Sequence, residues 1–390
     1  MGNRVVSRGL AVLLPVVVLG SGCTDGSPLA TEPSAPALSS YWGINQDNDG
    51  IDDGLEWELA NRFAPVLYLP FLISQGSTLN GDWTRPVNVP WMLQNTRMRI
   101  HHNNCPDHAV LDFGQVNATT LIQQSHQRFV RKWYGACVHE NPVQYSNGSW
   151  HDDDHFFLQQ YDHTHKGIED ASQWITYFHA YKNTSGGISI QYWFLWAYND
   201  WTGSANHEAD WEHVNVRLDA NHQPIGVHFS AHNSLNWYTA SQVQWFEGTH
   251  PLVWVADGSH GLYRSQSACN TTYYPLDEGE CWTIDGNRWF TWSGGKGAHV
   301  GRQGGGLVNM GEKTSPMPGQ QWLRYSGRWG EVGFDGLGFD GTSGPRGPAY
   351  NKNGWWTTDM APTYVPPPPS EPSPCLDEQY PGDDCPVEPI

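Results

Sequence analysis

The stretch Asn206-His207-Glu208-Ala209-Asp210-Trp211-Glu212-His213-Val214-Asn215-Val216-Arg217-Leu218 begins as a knot of hard ligands and ends as an alternating apolar strand. Side chains two apart on a strand share a face. Asp210 and Glu212 are therefore expected on the face of Val214, Val216 and Leu218, looking into a core. Buried carboxylates are very costly unless paired, protonated or bound to a metal. His207, three residues before Asp210, can join them from the preceding turn. A divalent cation held by His207, Asp210 and Glu212 is the economical reading; the alternative is a buried hydrogen-bond network that holds loops together. His213 should point the other way, to the surface or a second face.

A second ligand pattern lies at Asn45-Gln46-Asp47-Asn48-Asp49-Gly50-Ile51-Asp52-Asp53-Gly54-Leu55-Glu56. It fits a twelve-position EF-hand calcium loop, with side-chain oxygens from Asn45, Asp47, Asp49, Asp53 and Glu56, a backbone carbonyl at Ile51 and glycine at the sixth position. Asn45 replaces the usual aspartate, and Gly54 is unusual so late in such a loop. A short helix should follow, with Leu55, Leu59 and Phe63 one turn apart, ending before Pro65. The ion expected here is a structural Ca²⁺; the alternative is a plain acidic turn.

Other constellations are weaker. His151, Asp152, Asp153, Asp154 and His155, followed by Asp162, His163 and His165, are dense in ligands, but consecutive acids on a loop are usually just solvated. His207-Glu208 begins a zinc-protease motif that fails at Trp211, where the second histidine should stand. Asp257, Ser259 and His260 are too close in sequence for triad geometry, and there is no Gly-x-Ser-x-Gly elbow. Neither glycine cluster, at 294–306 or 330–347, forms a phosphate-cradling turn.

These residues must be positioned by strands. Tyr192–Tyr198 is apolar on both faces and reads as a central strand, Ile225–Ala231 alternates, and Leu252–Ala256 is another apolar strand. Helical patterns are scarce, and the 21 Trp fit a sandwich core and braced loops. The expected fold is all-β: a single large β-sandwich with long loops and few short helices. Its formal charge of −19 argues against a nucleic-acid partner. Residues 1–22 read as a lipoprotein signal peptide, with Arg4 and Arg8 before an apolar run and small residues before Cys23, the expected lipidation site. Residues 23–40 are a disordered Ser/Pro tether, 41–64 the calcium loop and helix, 65–361 the β-sandwich and 362–390 a Pro-rich acidic tail. Of seven Cys, six remain after Cys23, and proximity favours Cys105–Cys137, Cys269–Cys281 and Cys375–Cys385. The expected location is a bacterial cell envelope, lipid-anchored at the outer membrane or cell surface, or otherwise secreted.

His207-x-x-Asp210-Trp211-Glu212 resembles the Gly-His-Arg-His-Asp-Trp-Glu heptapeptide of the necrosis- and ethylene-inducing-like proteins, which are secreted cytolysins. Over residues 60–350 the chain is similar to the vacuolar protein sorting-associated protein 62 family and its bacterial relatives. The segments that carry this likeness include Arg62-Phe63-Ala64-Pro65-Val66-Leu67, His250-Pro251-Leu252-Val253, Asp257-Gly258-Ser259-His260, Gly327-Arg328-Trp329-Gly330 and Ser343-Gly344-Pro345-Arg346-Gly347-Pro348-Ala349. The cytolysin resemblance implies a cavity cation held by His207, Asp210, Glu212 and an upstream aspartate, which falls at Asn199 or, as the better hard ligand, Asp200. It also implies that His232 and His260 line the cavity. Ala209, Glu208 and Asn206 depart from the heptapeptide, which bears on cytolytic activity more than on metal binding.

With three carboxylates and one imidazole, the cavity cation would be Mg²⁺, Ca²⁺ or Mn²⁺. The expected function is metal-dependent binding of a polar glycan or lipid head group, with membrane damage as an extension. The alternatives are a metal-dependent hydrolase with His232 or His260 as base, or a structural surface lipoprotein. Whether the protein is an enzyme stays open at this level.

Overall fold

The computed structural model describes residues 42–75, 77, 81–102, 105–125, 132–134, 137–139, 155–200, 206–231, 234–271, 281, 287–292, 302–331, 344–350 and 356. Helix α1 spans Asp53–Phe63, α2 Val89–Gln94, α3 Ala118–Ser125 and α4 Gln266–Thr271. The strands are β1 (Val66–Tyr68), β2 (Thr96–His102), β3 (Cys105–Leu111), β4 (Lys132–Tyr134), β5 (Cys137–His139), β6 (His155–Gln160), β7 (Ile175–Lys182), β8 (Ile188–Asn199) and β9 (His207–Leu218). They continue with β10 (Pro224–Ala231), β11 (Ser234–Thr239), β12 (Trp245–Phe246), β13 (His250–Val255), β14 (Leu262–Tyr263), β15 (Arg288–Phe290), β16 (Arg302–Gln303) and β17 (Gly306–Asn309). The fold is all-β, as the alternation of the sequence indicates.

Two six-stranded sheets carry the core. One runs β11-β10-β9-β8-β7-β17, an antiparallel meander closed at one edge by β17, which pairs in parallel with β7. The other runs β12-β13-β1-β15-β16, with β14 on β13. Its central β1 pairs in parallel with β13 and antiparallel with β15. Val66, Val253 and Phe290 of this sheet share one hydrophobic cluster with Phe194, Val214 and Val216 of the meander. Phe194 meets Trp289 edge-on at 5.5 Å across the layers.

The meander is covered on its other face as well. Trp211 stacks on Trp322 at 5.7 Å and meets Trp329 edge-on at 5.3 Å. This is why all twelve residues of β9 are buried, and why its charged and polar positions need internal partners. His213 does face away from Glu212, but it is fully buried rather than on the surface, its ring 4.2 Å from that of Trp193.

Residues 42–64 pack against the sandwich. Ile51, Leu59 and Phe63 belong to the main cluster, Trp57 packs edge-on against Phe178 at 5.1 Å, and the Tyr192 hydroxyl donates to the Ala60 carbonyl at 2.9 Å. The amphipathic spacing of α1 seals it onto the sheet edge. The helix starts at the N-cap Asp52, whose carboxylate accepts from the Gly54 and Leu55 amides, and stops at Ala64 in extended conformation before Pro65.

Candidate functional site

β8 and β9 run antiparallel to a common mouth, with Trp196 opposite Asp210, Tyr198 opposite Glu208 and Asn199 opposite His207. Asn199, not Asp200, thus stands across from the histidine. Its side-chain amide donates to His207 Nε2 at 3.2 Å, while His207 Nδ1 lies 2.6 Å from the Ala209 carbonyl. Those partners place the His207 proton on Nδ1. Asp200 accepts from the Trp83 indole and, at 3.2 Å, from Asn206, and its amide donates to Gly258 O at 3.0 Å. Glu212 accepts from the Ser230 hydroxyl, and Asp210 meets His260 Nδ1 at 2.8 Å. Asp200, His207, Asp210 and Glu212 thus each have a hydrogen-bond partner outside the four: Trp83, Asn199, His260 and Ser230 respectively. Among the described residues, the group of His, Cys, Asp or Glu whose ligand atoms all lie within 4.8 Å of one another is Asp47, Asp53 and Glu56, not these four.

His260 is the most constrained residue at the mouth. It is fully buried, its backbone sits at φ +53°, and Trp196 stacks on its ring at 4.6 Å. Nδ1 faces Asp210, and Nε2 lies 3.0 Å from Asp82 Oδ2 and 2.9 Å from Thr84 Oγ1. Burial alone would push its pKa down, but Asp82 and Asp210 outweigh that and raise it to about 9. Asp82 answers in kind: burial would raise it, but the His260 charge and the hydrogen bonds from His260 and Thr84 hold it below the ordinary carboxylate range. The raised pKa favours the imidazolium form, held between Asp82 and Asp210, at neutral pH. Asp82 and Thr84 were not legible as site residues, because they sit in an aperiodic turn far from β9 in sequence. His232, the other base candidate, lies outside the described residues.

Beside this triad, Glu208 accepts from the Gln160 amide at 2.9 Å and the Glu331 amide at 3.1 Å, and meets His165 Nε2 at 3.4 Å. Gly330 permits the approach, since a Cβ there would lie 2.1 Å from the Glu208 carbonyl. Glu331 is pushed up by its own burial and by the neighbouring Glu208. The His165 ring stacks on Tyr198 at 4.4 Å, and Trp83 leans on the same tyrosine at 5.8 Å. Half-buried Trp83, Tyr198 and His165 thus form an aromatic rim beside Asp200 and Glu208. Asp162 and His163 are exposed in a single 3-10 turn, and His151 to Asp154 lie outside the described residues.

The N-terminal loop assembles otherwise. Asp47, Asp53 and Glu56 are buried together, Asp49 is half-buried and Asn45 is exposed. Ile51 is buried in the core, and its amide donates to Asp49 at 2.6 Å. Of the expected disulfides, Cys269–Cys281 is formed. The side chains of Cys105 and Cys137, and Cys23, Cys375 and Cys385 entirely, lie outside the described residues.

Fold and site together define an all-β protein with a buried Asp–His–Asp triad, an aromatic rim and a separate cluster of carboxylates. No family model matches the chain, and no curated protein matches it. Among solved structures it is similar to the crystal structure of Necrosis and Ethylene inducing Protein 2 from the causal agent of cocoa's Witches Broom disease. The likeness has 22% identity and a TM-score of 0.22, and covers 25% of this chain and 49% of that one, so this chain spans about half of that structure. A match this partial and weak says nothing about activity.

Proposed function

We propose that this protein binds a polar glycan or lipid head group at the β8–β9 mouth, while attached to a bacterial cell envelope through lipid on Cys23. The observation that supports the reading is the rim: Tyr198 stacked with His165 and Trp83, with the Asp200 and Glu208 carboxylates alongside. Flat ring faces and fixed hydrogen-bond acceptors are what a hydroxylated ring or head group requires. Kinship with the vacuolar protein sorting-associated protein 62 family belongs to the same proposal and rests on the sequence segments quoted above. Among the described residues no helix is long and apolar enough to cross a membrane; attachment through Cys23 rests on the signal-like residues 1–22 alone.

A Mg²⁺, Ca²⁺ or Mn²⁺ ion held by Asp200, His207, Asp210 and Glu212 belongs to the same proposal; the carboxylates would keep their hydrogen bonds as supporting contacts, and His207 Nε2 would exchange Asn199 for the ion. The test is glycan-array and vesicle binding by wild type, Tyr198→Ala and Trp83→Ala, with and without chelator. We expect both variants to lose about two- to tenfold in affinity, the scale of one lost stacking contact, with little change in melting temperature. Turnover of a phosphodiester, lipid or glycoside panel would replace this reading with the hydrolase. Neither binding nor turnover would leave a structural surface protein.

A further inference from the structure

We infer that Asp47, Asp53 and Glu56, with Asp49 beside them, form a calcium site that clasps the N-terminal loop and α1 to the β17 edge of the sandwich. This inference is independent of the ligand proposed for the mouth. Asp47 is 2% exposed and Asp53 and Glu56 are 0% exposed, with one ligand oxygen from each within 4.8 Å of the others. Part of the group's hydrogen-bonding capacity is used. Asp53 accepts from the Gln46 amide at 3.0 Å and its side chain at 2.8 Å, Glu56 Oε2 accepts from Asn309 at 2.8 Å, and Asp49 Oδ1 accepts from Ile51.

The remaining oxygens are the decisive observation. Asp47 Oδ2, Asp49 Oδ2 and Glu56 Oε1 are buried without any hydrogen-bond partner. Three unsatisfied carboxylate oxygens in one buried cluster repel each other and have lost their water. A divalent cation removes the conflict, because it is the largest local charge in such a site and takes up oxygens that the protein leaves unpartnered.

The ligand chemistry selects among cations. All donors are hard carboxylate oxygens, which suits Ca²⁺ or Mg²⁺ rather than Zn²⁺ or Cu²⁺. The nearby His179 is already engaged, 2.9 Å from Glu312. The turn at Gly50, with φ +84°, and Glu56 in the first turn of α1 give the flexible twelve-residue frame that Ca²⁺ accepts more readily than octahedral Mg²⁺.

The surroundings show what the ion would join. Asn309 belongs to β17 and accepts from the Gly311 amide at 2.9 Å, and Ser315 bonds both Asn48, at 3.2 Å, and the Gln46 carbonyl, at 3.2 Å. Residues about 250 positions apart in sequence thus meet around one cluster.

The test is calorimetric titration of the full chain, stripped with chelator, with CaCl₂ and separately MgCl₂, alongside thermal melts. Wild type is expected to bind Ca²⁺ in at least one equivalent, about tenfold or more tighter than Mg²⁺, and to melt higher with it. Asp47→Asn/Glu56→Gln keeps shape and hydrogen bonds while removing charge. It should fold without the ion, bind one equivalent fewer and lose the calcium-dependent rise in melting temperature. Equal Ca²⁺ stoichiometry in wild type and variant, or no Ca²⁺ binding by wild type at millimolar concentration, would overturn the site. Mg²⁺ binding as tight as Ca²⁺ would overturn the calcium assignment.

Discussion

Two buried histidines show how neighbours decide protonation. His213 has Asn215 on its own strand, Trp193 from β8 and His228 from β10 about it, with no carboxylate among these, and burial drives its pKa down to about 3. His260, equally buried, lies between two carboxylates and is raised to about 9. The consequences for stability have opposite signs. The folded pKa of His213 lies below the ordinary 6.5, so it costs nothing above about pH 6.5. Below that, stability falls by about 1.4 kcal/mol per pH unit as the unfolded chain gains a proton that the folded one refuses. His213→Gln is expected to remove that slope between pH 6.5 and 4.5 in denaturant unfolding, read as the difference from wild type. His260 stabilises fully below about pH 6.5, and its contribution fades as pH rises through about 9. His260→Gln leaves Asp82 and Asp210 without their cation and should cost about 3–5 kcal/mol in the same measurement at pH 7. At this scale the sequence made the inward carboxylates of β9 legible through strand alternation. The resemblance put His260 in the same cavity, but nothing periodic connects Ser230 to Glu212, or Asp82 to His260.

At the scale of elements, the long strands were readable and the short ones were not. Tyr192–Tyr198 and Ile225–Ala231 announce themselves by apolar content and alternation, and they lie in β8 and β10. β1 is three residues long, too short for any pattern, yet it occupies the centre of its sheet. Its place comes from packing of Val66 and Leu67, fully buried between β13 and β15. The Cys269–Cys281 bridge ties α4 to the segment after it across a sequence separation of 12. Because it limits the freedom of the unfolded chain, replacing both cysteines by serine should cost about 3 kcal/mol. Chemical denaturation of the two forms checks this. The calcium-like loop was legible because its spacing is local. Its attachment to Asn309 was not, because that contact is made only by the finished fold.

At the scale of the molecule, the sandwich joins distant parts of the chain. β8 to β11 are neighbours in both sequence and space, but β1 needs β13 and β15, and β7 needs β17. Such non-local pairing makes folding slow, because the loops must close before any contact rewards them. A chain truncated after residue 245 keeps the meander strands but lacks every partner of β1. It is expected to show no cooperative melting transition by near-ultraviolet circular dichroism, where the full chain shows one.

The pairing of β1 also fixes an order in time. While the chain is being made from its N-terminus, Val66–Tyr68 waits for Phe290 to emerge, and Glu56 waits for Asn309. The meander can assemble earlier, but neither the second sheet nor the carboxylate clasp can close until some three-quarters of the polypeptide exists. The molecule therefore closes in two stages, with β7 to β11 able to pair first and the second sheet and the Glu56–Asn309 contact completed only late in synthesis.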